Sequence, residues 1–105
     1  LAQRRQLGGW ADRVAASARQ ALEQGLAPSL ESVAQSLHQS PRTLRRRLQE
    51  QDLSFRQLLD LLRAELEQHY QLQGCNRAQI GELLGYNDTA AYLHARKRWR
   101  DQVVS

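Results

Sequence analysis

Several features that identify particular classes of protein are missing from this sequence. Its 105 residues include one cysteine, Cys75, and no methionine. A disulfide framework within the chain is therefore excluded, and a reducing compartment is the simplest environment. No apolar run approaches the ~20 residues that a membrane-spanning helix needs, and the start shows no signal-peptide pattern. We expect a soluble, cytoplasmic protein with no membrane partner.

Residue combinations typical of catalytic and metal sites are also missing. The three histidines (His38, His69 and His94) lie far apart, and none has a Cys, His or Glu companion at metal-ligand spacing on a helix. We find no paired carboxylates, no nucleophile beside a base and no glycine loop for phosphate. The sequence thus predicts a protein that is not an enzyme and that needs no metal or cofactor.

Acidic side chains are absent from the segment SPRTLRRRLQ, between Ser40 and Gln49, which carries four arginines. Ser40 is a favourable helix N-cap, and Pro41 suits the first helical position. With ~100° between successive residues, Leu44 and Leu48 form an apolar stripe and the outer face is cationic. A solvated helix face is the commoner fate of such a charge run. Because no acidic neighbour neutralises it, the segment favours an anionic partner.

The overall charge points in the same direction. Fifteen basic residues against eleven acidic ones give a net charge of +4, which suits binding to nucleic acid or to an acidic surface. The alternative hypothesis is a helical interaction module whose basic face binds an acidic partner protein. The length and the 41% hydrophobic content fit one compact domain.

Hydrophobic periodicity predicts an all-α chain of six or seven helices. Residues 1–9 contain a Gly–Gly pair and are interpreted as the end of an interdomain linker. Because the chain starts at Leu1 without an initiator methionine, we expect a fragment of a longer protein. The predicted parts are a helix from Trp10 to about Gly25, a first helix-turn-helix unit over about 29–51, a long linker helix over about 54–73, and a second unit over about 76–100.

The second helix-turn-helix unit repeats the pattern of the first. The first parts of the two units match at a spacing of 47 residues and the second parts at 48, so the second turn has one extra residue. The matched positions are Val33–Ala34 with Ile80–Gly81, Leu37 with Leu84, Ser40 with Asn87, Leu44 with Tyr92, and Leu48 with Arg96.

Two segments, LESVAQSLHQSPRTLRRRLQEQDLSFRQLL and IGELLGYNDTAAYLHARKRW, resemble the DNA-binding domain of the AraC family of bacterial transcription regulators. The resemblance covers about Trp10 to Trp99 and implies a domain over residues 10–105. It implies that two recognition helices enter successive major grooves of double-stranded promoter DNA. It further implies contact with RNA polymerase and an amino-terminal effector or dimerisation domain outside this fragment. The family's final helix is not recognisable after Trp99, so six helices are expected.

The resemblance also implies which residues contact DNA. Arg46 occupies the family's recurrent arginine position and is expected to bind guanine, a contact worth ~1–3 kcal/mol of discrimination. The alternative role is a phosphate clamp without sequence choice. The expected base-contacting residues are Arg42, Thr43, Arg45, Arg46, Thr89, Ala90, Ala91 and His94. The expected phosphate-contacting residues are Ser40, Arg47, Lys97, Arg98 and Arg100.

The second recognition helix departs from the family pattern. Ala90, Ala91 and His94 leave few side chains that can reach base edges, so weak direct readout is expected from this half. Arg96 replaces an apolar aromatic residue on the core stripe. Because an unpaired buried arginine is costly, we expect its head group to reach solvent or to pair with Glu82 or Asp88.

Overall fold

The computed structural model describes residues 8–104, with their side chains except those of Arg100 and residues 102–104. Within this range the chain forms six α-helices and no β-strand. The predicted all-α fold, with six helices, is therefore confirmed. The helices are α1 (Gly9–Glu23), α2 (Leu30–Ser36), α3 (Pro41–Gln49), α4 (Phe55–Leu72), α5 (Arg77–Leu83) and α6 (Thr89–Val104).

Two boundaries differ from the sequence prediction. Helix α1 begins at Gly9, inside the segment interpreted as linker, and residues 1–7 of that segment lie outside the described residues. Helix α6 continues to Val104, past the predicted end at Arg100. The physical reason is that the segment DQVV contains no glycine or proline to stop the helix.

Side-chain caps explain where most of the helices begin. Five helices start with a polar side chain that accepts a hydrogen bond from the backbone N–H three residues later, as an N-cap residue does. Helix α1 differs, because its N-cap residue is Gly8, which has no side chain to offer. The five capping residues are Ser29, Ser40, Ser54, Asn76 and Asp88.

The capping bonds correct one part of the predicted repeat. Thr43 donates its N–H to Ser40 Oγ at 3.1 Å, and Ala91 donates its N–H to Asp88 Oδ1 at 2.7 Å. Ser40 therefore corresponds to Asp88, at the spacing of 48, and the match with Asn87 is wrong. The extra residue of the second turn lies before the N-cap of α6.

Helix α4 joins the two units into one core. Helix α1 packs against α2, α3 and α4, whereas α6 packs against α4 and α5. Leu58, Leu62 and Leu66 of α4 are buried in the cluster that continues through both units. Each buried leucine contributes roughly 1.5–3 kcal/mol to stability. The long helix is thus a shared structural support and not merely a connector.

A second set of contacts fixes how the two units face each other. The turn at Gly85 lies so close to the end of α1 that a Cβ at this position would be 3.3 Å from Leu22 Cδ2 and 3.8 Å from the Ala27 Cα. Arg63 of α4 donates from Nε to the Leu84 carbonyl at 3.3 Å. These contacts place the second turn beside the end of α1 and against α4.

Candidate nucleic-acid interface

Helix α3 presents its arginines to solvent because two leucines anchor its opposite face. Leu44 and Leu48 are completely buried, as the helical periodicity predicted. Arg42, Arg45 and Arg46 are exposed and form no ion pair within the described part of the chain. Together with Thr43 and Gln49, these three arginines line an open groove of about 310 Å³. This part of α3 is therefore a concentrated positive surface that is open to solvent.

Two other predicted contact residues of the first unit have partners within the fold. Ser40 caps α3, and its hydroxyl also donates to Thr43 Oγ1 at 2.9 Å. Arg47 is half-buried, its guanidinium lies 5.8 Å from the Trp10 ring centroid, and its Nη1 lies 3.8 Å from Glu50 Oε1. Both residues lie at the edges of the cationic face, away from its centre.

Helix α6 presents a much less charged face. Ala90, Ala91 and His94 are exposed, whereas Thr89 is half-buried beside the cap of the helix. Lys97 is also exposed. The outer face of α6 therefore consists mainly of small side chains and one imidazole where the corresponding face of α3 has three arginines.

Arg96 has a partner that sequence reasoning missed. Its Nε donates to Glu67 Oε2 at 2.7 Å, and the Tyr92 hydroxyl donates to the same carboxylate oxygen. The expected pair with Glu82 or Asp88 is therefore wrong, because the partner is Glu67. The packing of α6 on α4 brings the buried Glu67 to the inner face of α6, whereas Glu82 and Asp88 are exposed.

Arg98 is also held by α4. Its Nη2 and Nε donate to the two carboxylate oxygens of Asp60 at 3.0 and 3.3 Å, and Asp60 is 1% exposed. These hydrogen bonds raise the pKa of Arg98, so the guanidinium is held in its charged form. Arg98 thus has a structural partner in addition to its predicted phosphate contact. The side chain of Arg100, the last predicted phosphate contact, lies outside the described residues.

Aromatic side chains surround these ion pairs in the second unit. Tyr86 and Trp99 stack with their ring centroids 6.5 Å apart. Burial raises the pKa of Tyr92, and the bond to Glu67 raises it further. Burial raises the pKa of Tyr86 as well, although the Arg63 guanidinium, 4.8 Å from the ring centroid, opposes the shift. Both phenols therefore stay neutral, and the carboxylates of α4 balance the arginines of α6.

The two carboxylates of α4 could have been found from one sequence signal. Asp60 and Glu67 are seven residues apart, so they lie on the same side of a helix after about two turns. Both acidic residues lie next to the apolar stripe of α4. On α6, Arg96 and Arg98 lie next to the apolar stripe of that helix. Acidic residues at this spacing, with unmatched arginines on a second helix, indicate buried ion pairs between the two helices.

The described residues show neither a metal site nor a membrane span. Across residues 8–104, no group of three or more His, Cys, Asp or Glu side chains is placed to hold a metal ion. None of the helices in that range is both long and apolar enough to cross a bilayer.

The fold defines a protein with two helix-turn-helix units, and its sequence is similar to those of helix-turn-helix regulators. The chain is 35% identical over 79 residues to the HTH-type transcriptional regulator VqsM of Pseudomonas aeruginosa, a match covering 74% of this chain and 24% of that protein. It is 36% identical over 89 residues to the HTH-type transcriptional regulator VirS of Mycobacterium tuberculosis, covering 84% and 26% respectively.

A solved structure gives the same result. The crystal structure of the transcriptional regulator CdpR from Pseudomonas aeruginosa matches with a TM-score of 0.70 and 36% identity, covering 88% of this chain and 29% of that one. No protein-family model matches the chain. The chain spans about a quarter of the length of the curated relatives that it matches. It is therefore similar to one part of helix-turn-helix transcriptional regulators.

Proposed function

We propose that the chain is the DNA-binding domain of an AraC-type bacterial transcription regulator, which inserts α3 and α6 into successive major grooves of promoter DNA. The observation that carries the proposal is the α3 groove, where three exposed arginines face solvent without an acidic partner among the described residues. Arginine is the side chain best suited to bind phosphates and guanine edges with two hydrogen bonds.

The dimensions of the domain support docking in two grooves. Successive major grooves on one face of B-DNA are about 34 Å apart. The longest dimension of the domain is 37 Å, and α4 has 18 residues, which corresponds to a length of about 27 Å. The Gly85 turn lies beside the end of α1, which supports a defined placement of the second unit relative to the first.

The residues have different roles in this proposal. On α3, Arg42, Thr43, Arg45 and Arg46 contact bases, with Arg46 on a guanine. On α6, Ala90 and Ala91 contact thymine methyl groups, which apolar side chains can recognise. Thr89 and His94 complete the base-contacting set. The phosphate contacts come from Ser40, Arg47, Lys97, Arg98 and Arg100.

The whole protein would extend beyond this domain. Because the chain covers only a quarter of its curated relatives, we propose that an amino-terminal effector or dimerisation domain belongs to the complete protein. Bound at a promoter, the protein recruits or obstructs RNA polymerase according to its position, and it catalyses no reaction. The class of the named relatives supports this proposal.

Selection from a random duplex library, followed by titration, tests the proposal. The chain should prefer a selected duplex to a scrambled duplex of the same composition by on the order of 10³-fold at moderate salt. The measurement is fluorescence anisotropy over a range of salt concentrations, in which affinity should fall steeply as salt rises. Equal affinity for the two duplexes would remove the claim of sequence specificity.

A pair of charge-matched variants localises the binding. Arg42→Gln with Arg46→Gln should abolish the preference for the selected duplex. Arg56→Gln with Arg77→Gln removes the same charge from exposed positions outside both recognition helices, and the preference should remain. Tighter binding to an acidic peptide than to any duplex would support the alternative, a module that binds an acidic protein.

A further inference from the structure

Helix α1 is capped by a residue from a distant part of the chain. Gly8 offers no side chain, and the Ala11 N–H, which an N-cap side chain normally satisfies, donates instead to Gln51 Oε1 at 2.9 Å. The Gln51 Nε2 donates to the Gly8 carbonyl at 2.7 Å. The side-chain amide of Gln51, 40 residues away from Ala11, therefore bonds the backbone both at Gly8, just before α1, and at Ala11, in its first turn.

Gln51 is itself fixed by the end of the α3 recognition helix. Its backbone N–H donates to the Leu48 carbonyl at 2.9 Å, and the Leu53 N–H reaches the same carbonyl at 3.0 Å. Leu48 is completely buried, so this carbonyl belongs to a turn that the core holds in place. The side chain of Gln51 thus connects the last turn of α3 directly to the start of α1.

A second contact joins the same two helix ends. The half-buried Trp10 lies between two guanidinium groups, with Arg13 at 4.8 Å and Arg47 at 5.8 Å from its ring centroid. Such cation–π contacts contribute most when the charge is partly desolvated. The Arg47 Nε is buried and has no hydrogen-bond partner among the described residues, and the neighbours of this guanidinium include the Trp10 ring and the Glu50 carboxylate.

We propose that Gln51 and Trp10 are positioning residues that set the placement of the α3 recognition helix through the start of α1. A displacement of the backbone at Gly8 is then transmitted to the last turn of α3 and to Arg47, whereas α6 is held separately by α4 and α5. The backbone at Gly8 is consequently a control point for recognition by the first unit alone. This inference rests on the proposed DNA binding, because its consequence for function is a change in base recognition.

The structure allows the capping role of Gln51 to be separated from its positioning role. Gly8 has an extended backbone, with φ −120° and ψ 172°, and a Cβ added there would meet no atom within 4 Å. A serine at Gly8 is therefore accommodated and offers the first turn of α1 a hydroxyl acceptor. The double variant Gly8→Ser with Gln51→Ala restores a cap to α1 but leaves α1 and α3 without their connecting amide.

The experiment compares Gln51→Ala, the double variant and the wild-type chain by amide hydrogen exchange and by duplex binding. In Gln51→Ala, exchange should become faster in the first turn of α1 and the last turn of α3. In the double variant, protection of α1 should return while the last turn of α3 still exchanges fast. Gln79→Ala, which removes a comparable capping glutamine from α5, should leave α3 protection unchanged.

Binding measurements then show how the loss of the Gln51 connection affects recognition of the duplex. Relative to the wild-type chain, the double variant should bind the selected duplex about tenfold more weakly, a loss comparable with one good base contact. Discrimination should fall at the base pairs recognised by α3 and persist at those facing α6. Trp10→Leu should give a smaller loss of the same kind, and Trp10→Phe, which keeps a ring, should restore most of it.

The outcomes separate this inference from the proposed function. Unchanged α3 exchange in Gln51→Ala, or wild-type discrimination in the double variant, would show that Gln51 only caps α1 and would overturn the inference. If the wild-type chain bound no duplex at all, the proposed function would fail, and the exchange measurements alone would decide whether Gln51 positions α3.

Discussion

The two helix-turn-helix units share one backbone plan but place their charges differently. In the first unit, Leu48 fills the core, and Arg42, Arg45 and Arg46 of α3 remain exposed. In the second unit, Arg96 occupies the position equivalent to Leu48 and pairs with Glu67, and Arg98 pairs with Asp60. The number of arginines on a recognition helix is therefore a poor guide to the charge that it offers a ligand. The charge offered to a ligand depends on whether the neighbouring helix supplies carboxylates that pair with the arginines.

The turns of the two units differ in a related way. His38 and Gly85 occupy equivalent positions and both have positive φ, 58° and 89° respectively. His38 is exposed, whereas Gly85 lies close to the end of α1. At the helix crossing, the first unit has Ala34 and Leu44 at the equivalent positions, both completely buried. In the second unit Gly81 faces the larger Tyr92, and a Cβ on Gly81 would be 3.1 Å from the Tyr92 Cβ. The second unit thus uses glycine where its aromatic core leaves no room.

Removing the carboxylate that distinguishes the second unit should have the largest effect. Glu67→Ala leaves Arg96 partly buried without its charge partner and the Tyr92 hydroxyl without its acceptor, and should cost ~3–5 kcal/mol of stability. Urea unfolding monitored by tryptophan fluorescence measures the loss.

The matched control reproduces in the second unit the apolar packing of the first unit. Glu67→Gln combined with Arg96→Leu places an apolar side chain where Leu48 lies in the first unit and keeps an acceptor for Tyr92. Most of the lost stability should return. A double variant as unstable as Glu67→Ala would show that the charge pair is not the source of the difference between the units.

Truncating one residue on each recognition helix should expose the difference in recognition. Arg46→Ala should weaken specific binding by ~1–3 kcal/mol and relax the preference at one base pair. The equivalent residue on α6 is His94, and His94→Ala should cost less than about 1 kcal/mol, since weak direct readout is expected there. Titration against single-base variants of the selected duplex compares the two helices.

Lys97, which we propose to contact phosphate, provides the reference for that comparison. Lys97→Ala should weaken binding to all sequences alike and lower the salt slope by about one. If Arg46→Ala and Lys97→Ala behaved in the same way, the assignment of Arg46 to a base and Lys97 to a phosphate would be contradicted.

Adding a side chain where α5 crosses α6 should destabilise the second unit, but by less than the loss of Glu67 does. Gly81→Ala forces the new methyl group against Tyr92 and should cost ~1–2 kcal/mol, because overpacking a fixed core requires side chains or backbone to shift. Thermal unfolding measures the change. With Tyr92→Leu added, the crossing resembles Ala34 with Leu44, and the penalty for alanine at this position should disappear.

The smallest effect is expected at the two turns. His38→Gly places glycine in a left-handed backbone conformation that a side chain disfavours, and should stabilise the protein by roughly 0.5 kcal/mol after the entropy of the unfolded chain is counted. The reciprocal change, Gly85→Ala, should destabilise, since it adds both the unfavourable conformation and a contact with Leu22. A loss of stability in Gly85→Ala no larger than the gain in His38→Gly would contradict the proposed difference in packing.

The sequence predicted the elements of this fold because their causes are local. Ser29, Ser54 and Asn76 cap helices within three residues of their own positions, and the apolar stripe of α4 follows from its 3.6-residue period. The exposed face of α3 could be predicted for the same reason, because Leu44 and Leu48 determine which side points inward. These features need no knowledge of the tertiary structure.

The remaining features depend on which helices meet in space. Glu67 reaches Arg96 only because α4 packs on α6, and Gln51 caps α1 only because the end of α3 packs beside it. Glu82 and Asp88 are nearer to Arg96 in sequence, which made them reasonable expectations. Sequence distance says little about such pairs, since the partners are 29 and 40 residues apart.

The contact of the Gly85 turn with the end of α1 has a consequence for the DNA. If the chain binds DNA as proposed and this contact restricts movement between the two units, deformation of the duplex takes up part of any mismatch with straight B-DNA. Bending a site of 20–30 base pairs by 40–90° costs on the order of 1–6 kcal/mol, and the cost depends on the flexibility of the base steps between the grooves. Base pairs that no side chain touches would then influence affinity through their stiffness.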